Sequence, residues 1–238
     1  MSLVIYKAIF GNYDSLPKEP NFSQKHNYEF KLFTDEDIKV NGWEVIKLKI
    51  NDPIIANRHC KMFPWDYFNS NKSLYLDGHI EFGPKFEDFL EKINSMSEEM
   101  ILLRHRSKGT IKDEFIRAID NSKLSYEEID KILTSCILLD RPSPECGLIM
   151  RNHESHKVRV LSEKWWEYFN SICKRDQISV QTAANHAELN IKVLEEDFSN
   201  KDYFKMTLHK NTISNLILNR MKIALRIIRN GLLLKRSS

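Results

Sequence analysis

The stretch that most constrains the fold is residues 73–80, a short apolar run that ends on an aspartate, a glycine and a histidine. Apolar residues up to Leu76 are typical of a buried strand in an α/β sheet. Asp77 and His79 would then emerge at the carboxyl end of this strand, where open α/β sheets bind their ligands. The alternative is a strand that ends in a polar turn, with Asp77 capping backbone amides.

A carboxylate and an imidazole two residues apart could face one divalent cation. Oxygen ligands suit Mg²⁺ or Mn²⁺, and an added imidazole such as His79 favours Mn²⁺. Gly78, between the two ligands, lets the backbone turn sharply or approach a ligand closely. Such a cation could hold a diphosphate, so this stretch is compatible with a nucleotide site as well as with an ordinary turn.

Other apolar runs alternate with segments of helical periodicity, which predicts an α/β fold. The predicted strands besides 73–76 cover residues 3–10, 28–34, 43–48, 101–103, 148–150 and 189–194. The predicted helices cover residues 53–61, 86–96, 164–173 and 178–187, with two more across 111–133.

Three polar groups are candidates for a nucleotide site, and each has a simpler explanation. Gly11-Asn12-Tyr13-Asp14 directly follows the first predicted strand, where Tyr13 could stack on a base and Asp14 could accept from it; a plain loop explains it equally well. Arg58 and Lys61 share a helix face and could bind a diphosphate, or could simply be solvated. Asp176-Gln177 could be catalytic, although a carboxylate at a helix start is favoured by the helix dipole alone.

The charge distribution separates the end of the chain from the rest. None of the 33 Asp and Glu residues lies after Asp202, whereas eight of the 36 Lys and Arg residues do. Residues 213–236 predict a basic amphipathic helix, typical of one that lies in a membrane interface. Packing of this helix on the body, or on a second subunit as in a homodimer, is the alternative. The basic residues lack interleaved aromatic rings, which argues against nucleic acid as the partner.

The cysteines and the hydropathy pattern point to a reducing compartment. Cys60, Cys136, Cys146 and Cys173 show no CxxC spacing, which argues against a structural zinc site and favours free thiols. We expect no signal peptide and no membrane-spanning helix, because no apolar window reaches the necessary length. A cytoplasmic protein associated with the inner face of the membrane is the predicted location.

Several motifs taken together resemble one family, the glycosyltransferase-like family of the plant turgor-regulation-defect and mucilage-related proteins and their bacterial relatives, formerly a domain of unknown function. The resemblance covers residues 4–181, about three-quarters of the chain, and its opening and Asp-Gln motifs are the specific parts. The matching residues are Ile5 to Asp14, Phe33-Thr34-Asp35, Arg58 with Lys61, Leu76-Asp77-Gly78, Gly147 with Arg151, Trp165-Trp166 and Arg175-Asp176-Gln177.

This resemblance implies a GT-A fold, a Rossmann-like α/β sandwich with helices flanking a mixed sheet, over residues 1–210. It implies that Asp77-Gly78-His79 is a variant of an Asp-X-Asp metal motif, with His in place of the second Asp. His209 is the candidate for a third metal ligand. The nucleoside would lie against residues that follow the first two strands, namely Phe10, Gly11, Tyr13, Asp14 and Asp35.

The same resemblance implies a function in which Arg58 and Lys61 neutralise the diphosphate of a nucleotide sugar, with a UDP-sugar as the expected donor. Asp176 and Gln177 would face the sugar or the acceptor, with Asp176 as the base if the reaction inverts configuration. By analogy, a membrane-associated enzyme fits a lipid-linked glycan acceptor in bacterial surface polysaccharide synthesis, with a glycan-assembly complex as a possible partner. The rival hypothesis is a non-catalytic module that binds the membrane surface and only keeps the fold.

Overall fold

A computed structural model describes residues 3–22, 27–136, 138 and 140–210. The strands of this part of the chain form a seven-stranded sheet and a separate two-stranded sheet. The strands of the main sheet are β1 (Leu3–Ile9), β2 (Tyr28–Thr34), β3 (Glu44–Lys47), β4 (Lys72–Leu76), β6 (Met100–Arg104), β7 (Pro144–Asn152) and β8 (Lys192–Leu194). The small sheet pairs β5 (Ile80–Phe82) with β9 (Phe204–Met206).

The main sheet has the order β3-β2-β1-β4-β7-β6-β8, and β7 runs antiparallel to its two neighbours. The other neighbouring strands pair in parallel. The chain builds outward from β1 to β3 and then returns to place β4 on the other side of β1. This reversal creates a switch point between the carboxyl ends of β1 and β4, which is where such sheets form a ligand crevice. The fold is therefore α/β with a mostly parallel, Rossmann-like mixed sheet.

Alternate residues along each strand point to opposite faces of the sheet, so each face forms its own buried cluster with the helices that cover it. One buried cluster combines Tyr6 and Tyr75 of the sheet with helical residues such as Met62 and Trp165. The second cluster, on the opposite face, includes Phe86. The helices of the described residues are α1 (Pro53–Met62), α2 (Phe86–Asn94), α3 (Ile111–Asp120), α4 (Tyr126–Ser135), α5 (His156–Ser171) and α6 (Asp176–His186).

The predicted α/β class is confirmed, and the differences lie at the ends of elements. α5 begins well before the expected residue 164 because Ser155 caps it, its hydroxyl accepting from the Val158 amide at 3.2 Å. The strands β5 and β9 were not predicted, because each is only three residues long. The helix predicted at 213–236 lies outside the described residues. Within the described part of the chain, each helix is too short or too polar to cross a membrane.

Candidate active site

A cleft of about 610 Å³ opens at the switch point, at the carboxyl ends of β1 and β4. Its size is in the range of pockets that hold a cofactor or a substrate of nucleotide size. The residues that line it come mainly from the segments after β1 and β4 and from α1. They include Phe10, Gly11, Tyr13, Asp14, Asn57, Arg58, Asp77, Gly78, His79, Lys174 and His209.

The turn after β1 is held in shape by a carboxylate that directly follows the neighbouring strand β2. Gly11 has a φ of +63°, in the left-handed region that favours glycine. Its amide donates to the Asp35 carboxylate at 3.1 Å. Asp35, expected to hold the nucleoside, is not among the described residues that line the cleft. Its observed contact is therefore with the turn that carries Phe10 and Tyr13, both of which do line the cleft.

The loop after β4 approaches the turn after β1 so closely that only glycine fits at position 78. A Cβ on Gly78 would lie 2.4 Å from an Asp14 carboxylate oxygen. From beneath, the buried ammonium of Lys7 donates to the Gly78 carbonyl at 3.3 Å and to the Ile80 carbonyl. Burial lowers the pKa of Lys7, with Glu81 nearby opposing that shift. Lys7 thus fixes the loop that carries His79.

Asp14, His79 and His209 form a cluster in which one ligand atom from each residue lies within 4.8 Å of the other two. The His79 and His209 rings are 4.7 Å apart, and His209 Nδ1 is hydrogen-bonded to the Asp14 carboxylate. We call these three residues the imidazole cluster. Burial lowers the pKa of His79, an effect that the nearby Asp77 carboxylate partly opposes. A neutral imidazole is the form that binds metal, so the donor set fits a divalent cation such as Mn²⁺.

The segment after β9 brings His209 to this cluster, although it is far away in the sequence. The Thr207 amide and hydroxyl both donate to the His79 carbonyl, at 2.8 and 3.0 Å. The His209 ring also lies 4.6 Å from the Tyr13 ring, which leaves Tyr13 half-exposed at the mouth of the cleft. The hydrogen bonds from Thr207 to the His79 carbonyl therefore hold the segment that carries His209 next to His79.

A smaller cavity of about 90 Å³ adjoins the cleft, and its lining is almost entirely polar. We call it the polar pocket. Arg58, Asp77 and Lys174 line both spaces, so a ligand in the cleft could extend into the pocket. The remaining residues of the pocket come from α1, β7 and the start of α6. They are Lys61, Glu145, Cys146, Gly147, Arg175, Asp176 and Gln177.

The two cations predicted to bind a diphosphate already have protein partners. Lys61 is buried and donates to Asp176 at 2.8 Å, with Asp77 at 3.6 Å. Arg58 Nε lies 3.2 Å from the other Asp176 oxygen, and a quarter of its side chain is exposed. Burial opposes the charge of Lys61, but the Asp176 and Asp77 carboxylates hold its pKa above the usual value. Arg58 therefore reaches the cleft as a partly neutralised cation, and Lys61 is mainly an anchor.

Asp77 faces the cavities, as the metal hypothesis requires, but it is held by other contacts. Its carboxylate accepts from the Tyr75 hydroxyl at 2.7 Å, and its amide donates to the Gly147 carbonyl at 2.8 Å. Burial would raise its pKa, yet Lys61 and Arg58 hold it below the usual range. Asp77 is not a member of the imidazole cluster. Among the described residues, the carboxylate that joins the two histidines is that of Asp14, expected to bind the nucleoside.

Asp176 is buried at the first residue of α6, and its neighbour Gln177 is half-buried in the same pocket. Asp176 lies in the first turn of α6, where the helix dipole favours a carboxylate, so its position agrees with the local explanation of the Asp-Gln motif. Burial would raise the pKa of Asp176, but Lys61 and Arg58 lower it overall. A carboxylate paired in this way is a weak proton acceptor at neutral pH.

Other residues noted in the sequence lie in the scaffold. Arg151 is buried and donates to the Lys61 carbonyl at 2.7 Å, which satisfies the end of α1. Trp165 is fully buried in the core, and Trp166 packs against His59 and Phe63. Neither tryptophan lines the cleft or the polar pocket in the described part of the chain.

Sequence reasoning missed three charged residues near the site. Lys7 was detectable as a single charge within an otherwise apolar strand. Lys174 and Glu145 carried no signal, because each belongs to a segment whose position depends on tertiary packing. Glu145 lines the polar pocket from β7, and Lys174 lines both cavities from the loop before α6.

Comparison of the chain with known protein families and with curated proteins found no match to either.

Proposed function

We propose that this protein is a metal-dependent glycosyltransferase that moves a sugar from a nucleoside diphosphate, UDP in the first instance, to a glycan acceptor. The observation that carries the proposal is the joining of two unlike cavities at the switch point of the sheet. A cleft of about 610 Å³ meets a polar pocket of about 90 Å³, and both are lined by Arg58 and Asp77. A nucleotide sugar has the same division, with a large nucleoside, a charged linker and a small polar sugar.

The nucleoside would lie in the cleft against Phe10, Gly11 and Tyr13, because Tyr13 offers a half-exposed ring for stacking. The diphosphate would lie where the two cavities meet, within reach of Arg58 and Lys174. The sugar would then enter the polar pocket. Carboxylates and amides suit sugar hydroxyls because they accept and donate hydrogen bonds.

A divalent cation, Mn²⁺ or Mg²⁺, would be held by the imidazole cluster, with Asp77 on the adjoining wall. Its chemistry would be to neutralise the charge that develops on the leaving phosphate oxygen. Gly78 supports this assignment, because its missing side chain makes room for the Asp14 carboxylate beside His79. Lys7 supports it from below by fixing the backbone of the same loop.

Arg58 is the residue of the chain best placed to stabilise the departing diphosphate. Its pairing with Asp176 orients it in the folded protein, so little reorganisation would be needed during the reaction. Removing a charge stabiliser of this kind is expected to lower kcat by roughly 10²-fold or more. Gln177 and Asp176 would contact the sugar or the acceptor from the floor of the polar pocket.

The proposal extends to a GT-A type of fold and to action at a membrane. The parallel half of the sheet, from β3 to β4, supports the first, because its switch point supplies the nucleotide crevice. The basic composition of residues 213–236 supports the second, since anionic lipids attract Lys and Arg. The acceptor would be a lipid-linked glycan of a bacterial surface polysaccharide, such as O-antigen, capsule or lipopolysaccharide. The enzyme would act at the inner face of the cytoplasmic membrane, alone, as a homodimer or within a glycan-assembly complex.

The experiment is a screen of UDP- and GDP-sugars for metal-dependent release of the nucleotide, with the full chain and Mn²⁺. We expect release from at least one donor, lost on chelation and reduced roughly 10²-fold in Arg58→Ala. Arg141→Ala, at an exposed arginine outside both cavities, is the matched control. Binding to anionic liposomes without release from any donor would support the non-catalytic module instead.

A further inference from the structure

Glu145 is placed in the polar pocket by an irregularity in the sheet. The pairing of β6 with β7 runs regularly to Leu102 and Ile149, and then shifts so that Leu103 pairs with Glu145. Residues 146–148 are therefore skipped in the ladder with β6, although Leu148 still pairs with β4. Bulges of this type occur next to active sites, where they redirect a side chain.

The Glu145 carboxylate has few partners in its surroundings. One oxygen accepts from the Gly147 amide at 3.3 Å, and the other lies 3.6 Å from His105 Nε2. About a fifth of the side chain is exposed to the pocket. In the described part of the chain, no Lys or Arg lies within ion-pair distance of this carboxylate. Burial lowers the pKa of His105, which keeps its imidazole neutral near pH 7 and leaves the glutamate without a charged partner.

Glu145 therefore differs from the two aspartates of the same pocket. Asp176 and Asp77 are stabilised as anions by Lys61 and Arg58, so their affinity for a proton is low. Burial, and then repulsion from Asp77, raises the pKa of Glu145 to about 7. The charged and titratable groups around it come from α1, α3, the ends of β4 and β6, β7 itself and the start of α6. They are Arg58, Lys61, Asp77, His105, Glu114, Cys146, Lys174, Arg175 and Asp176.

We propose that Glu145 is the general base that takes the proton from the acceptor hydroxyl, in a displacement that inverts the configuration of the transferred sugar. This inference rests on the proposed transferase function. The acceptor oxygen forms a bond to the anomeric carbon as its proton passes to Glu145. The bond from that carbon to the phosphate oxygen breaks, and its electron pair leaves with the nucleoside diphosphate. No other reactant is needed, and the protonated Glu145 returns its proton to solvent.

The position of Glu145 suits this role better than that of Asp176. The base must be within reach of the hydroxyl in the pocket and must be free to accept its proton. The Asp176 carboxylate accepts a hydrogen bond from the Lys61 ammonium and faces Arg58, so protonation of Asp176 would break a buried ion pair. Glu145 would gain a proton at no such cost. The geometry therefore gives Asp176 the role of a positioning residue for the two cations.

The test compares Glu145→Gln with Glu154→Gln, a control at an exposed glutamate just beyond β7. The substrate is the sugar nucleotide that gives the highest wild-type release in the donor screen. We expect kcat to fall by roughly 10²-fold or more in Glu145→Gln, with UDP affinity in the presence of Mn²⁺ changed less than about threefold. Unchanged UDP affinity shows that the variant is folded and that its binding site is intact.

Azide supplies a readout that a structural role would not affect, because this anion attacks the sugar without losing a proton. In Glu145→Gln, azide should restore nucleotide release and yield a glycosyl azide of inverted configuration, and it should have little effect on the wild type. A Glu145→Gln rate above about a third of wild type would overturn the proposal, as would a lack of rescue or a product of retained configuration. If the wild type releases nucleotide from no donor, the transferase proposal fails and the role of Glu145 fails with it.

Discussion

The imidazole cluster and the polar pocket are neighbours, yet they balance their charges in opposite ways. In the polar pocket, Asp176 and Asp77 are matched by Lys61 and Arg58 within the protein itself. In the imidazole cluster, two histidines and Asp14 converge without a Lys or Arg among the three. The first arrangement is complete once the chain has folded, whereas the second leaves a carboxylate and two ring nitrogens facing one another.

This difference separates groups that hold the site from groups that await a ligand. Buried ion pairs are costly to break, because removing one partner leaves an uncompensated charge. A cluster of one carboxylate and two imidazoles, with no Lys or Arg among its members, can gain binding energy from a metal. Glu145 is the exception within the polar pocket, since it is a half-buried carboxylate that has no Lys or Arg within ion-pair distance in the described part of the chain. Substitutions at each of these positions test this difference between the two sites.

The largest effect is expected from removing the buried ammonium of the polar pocket. Lys61→Met should lower the free energy of unfolding by roughly 3–5 kcal/mol, because the buried Asp176 and the half-buried Asp77 would have only Arg58 to balance them. Urea denaturation measures the change, and Lys164→Met, which removes an exposed pair with Glu167, is the control. A loss below about 1 kcal/mol would show that the pocket tolerates unpaired carboxylates.

Replacing Glu145 should stabilise the protein at pH 8, whereas replacing Lys61 should destabilise it. Its pKa is raised in the folded protein to about 7 from the ordinary value of 4.5. The folded state therefore holds the proton more tightly, and stability falls as the pH rises from 4.5 through 7. Glu145→Gln should be more stable than the wild type at pH 8, by up to about 3 kcal/mol, and little different at pH 5. Urea titrations at both values check this, and a variant that is less stable at pH 8 would contradict it.

The imidazole cluster should respond to metal rather than to mutation alone. A Mn²⁺ concentration about 100-fold above the dissociation constant should stabilise the wild type by roughly 2.7 kcal/mol, or a rise in Tm of about 5 °C or more. His79→Ala and His209→Ala should lose most of this rise, whereas His186→Ala, at an exposed histidine on α6, should keep it. Thermal denaturation with and without EDTA measures the effect. Equal shifts in all four proteins would show that Mn²⁺ binds elsewhere.

The smallest effect is expected at the turn after β1. Asp35→Ala removes the acceptor of the Gly11 amide and should cost about 1 kcal/mol of stability, measured by urea denaturation. Asp35→Asn keeps an acceptor oxygen and should cost less. The two variants also separate a support role from direct nucleoside binding. If Asp35→Asn, though stable, lowers UDP affinity as much as Asp35→Ala does, Asp35 contacts the nucleotide itself.

The sequence predicted the elements of the site more fully than it predicted their partners. The strand before Asp77 and the turn around Tyr13 were recognisable, because periodicity and glycine report local structure. The cluster of Asp14 with His79 and His209 was not predictable, because it depends on loops that meet only in the folded chain. Glu145 was beyond prediction, because a shift of register in a sheet leaves no local signal. The ion pair between Lys61 and Asp176 was likewise not predictable, because the two residues are far apart in the sequence.

The most direct test is a calorimetric titration of the full chain with UDP, carried out once in the presence of Mn²⁺ and once in the presence of EDTA. It shows whether the imidazole cluster holds a cation that binds the diphosphate. We expect EDTA to weaken UDP binding to the wild type at least tenfold. We also expect Asp14→Asn to bind UDP as weakly with Mn²⁺ as the wild type does with EDTA. Equal UDP affinity in the wild type with and without the metal would contradict a metal-held diphosphate.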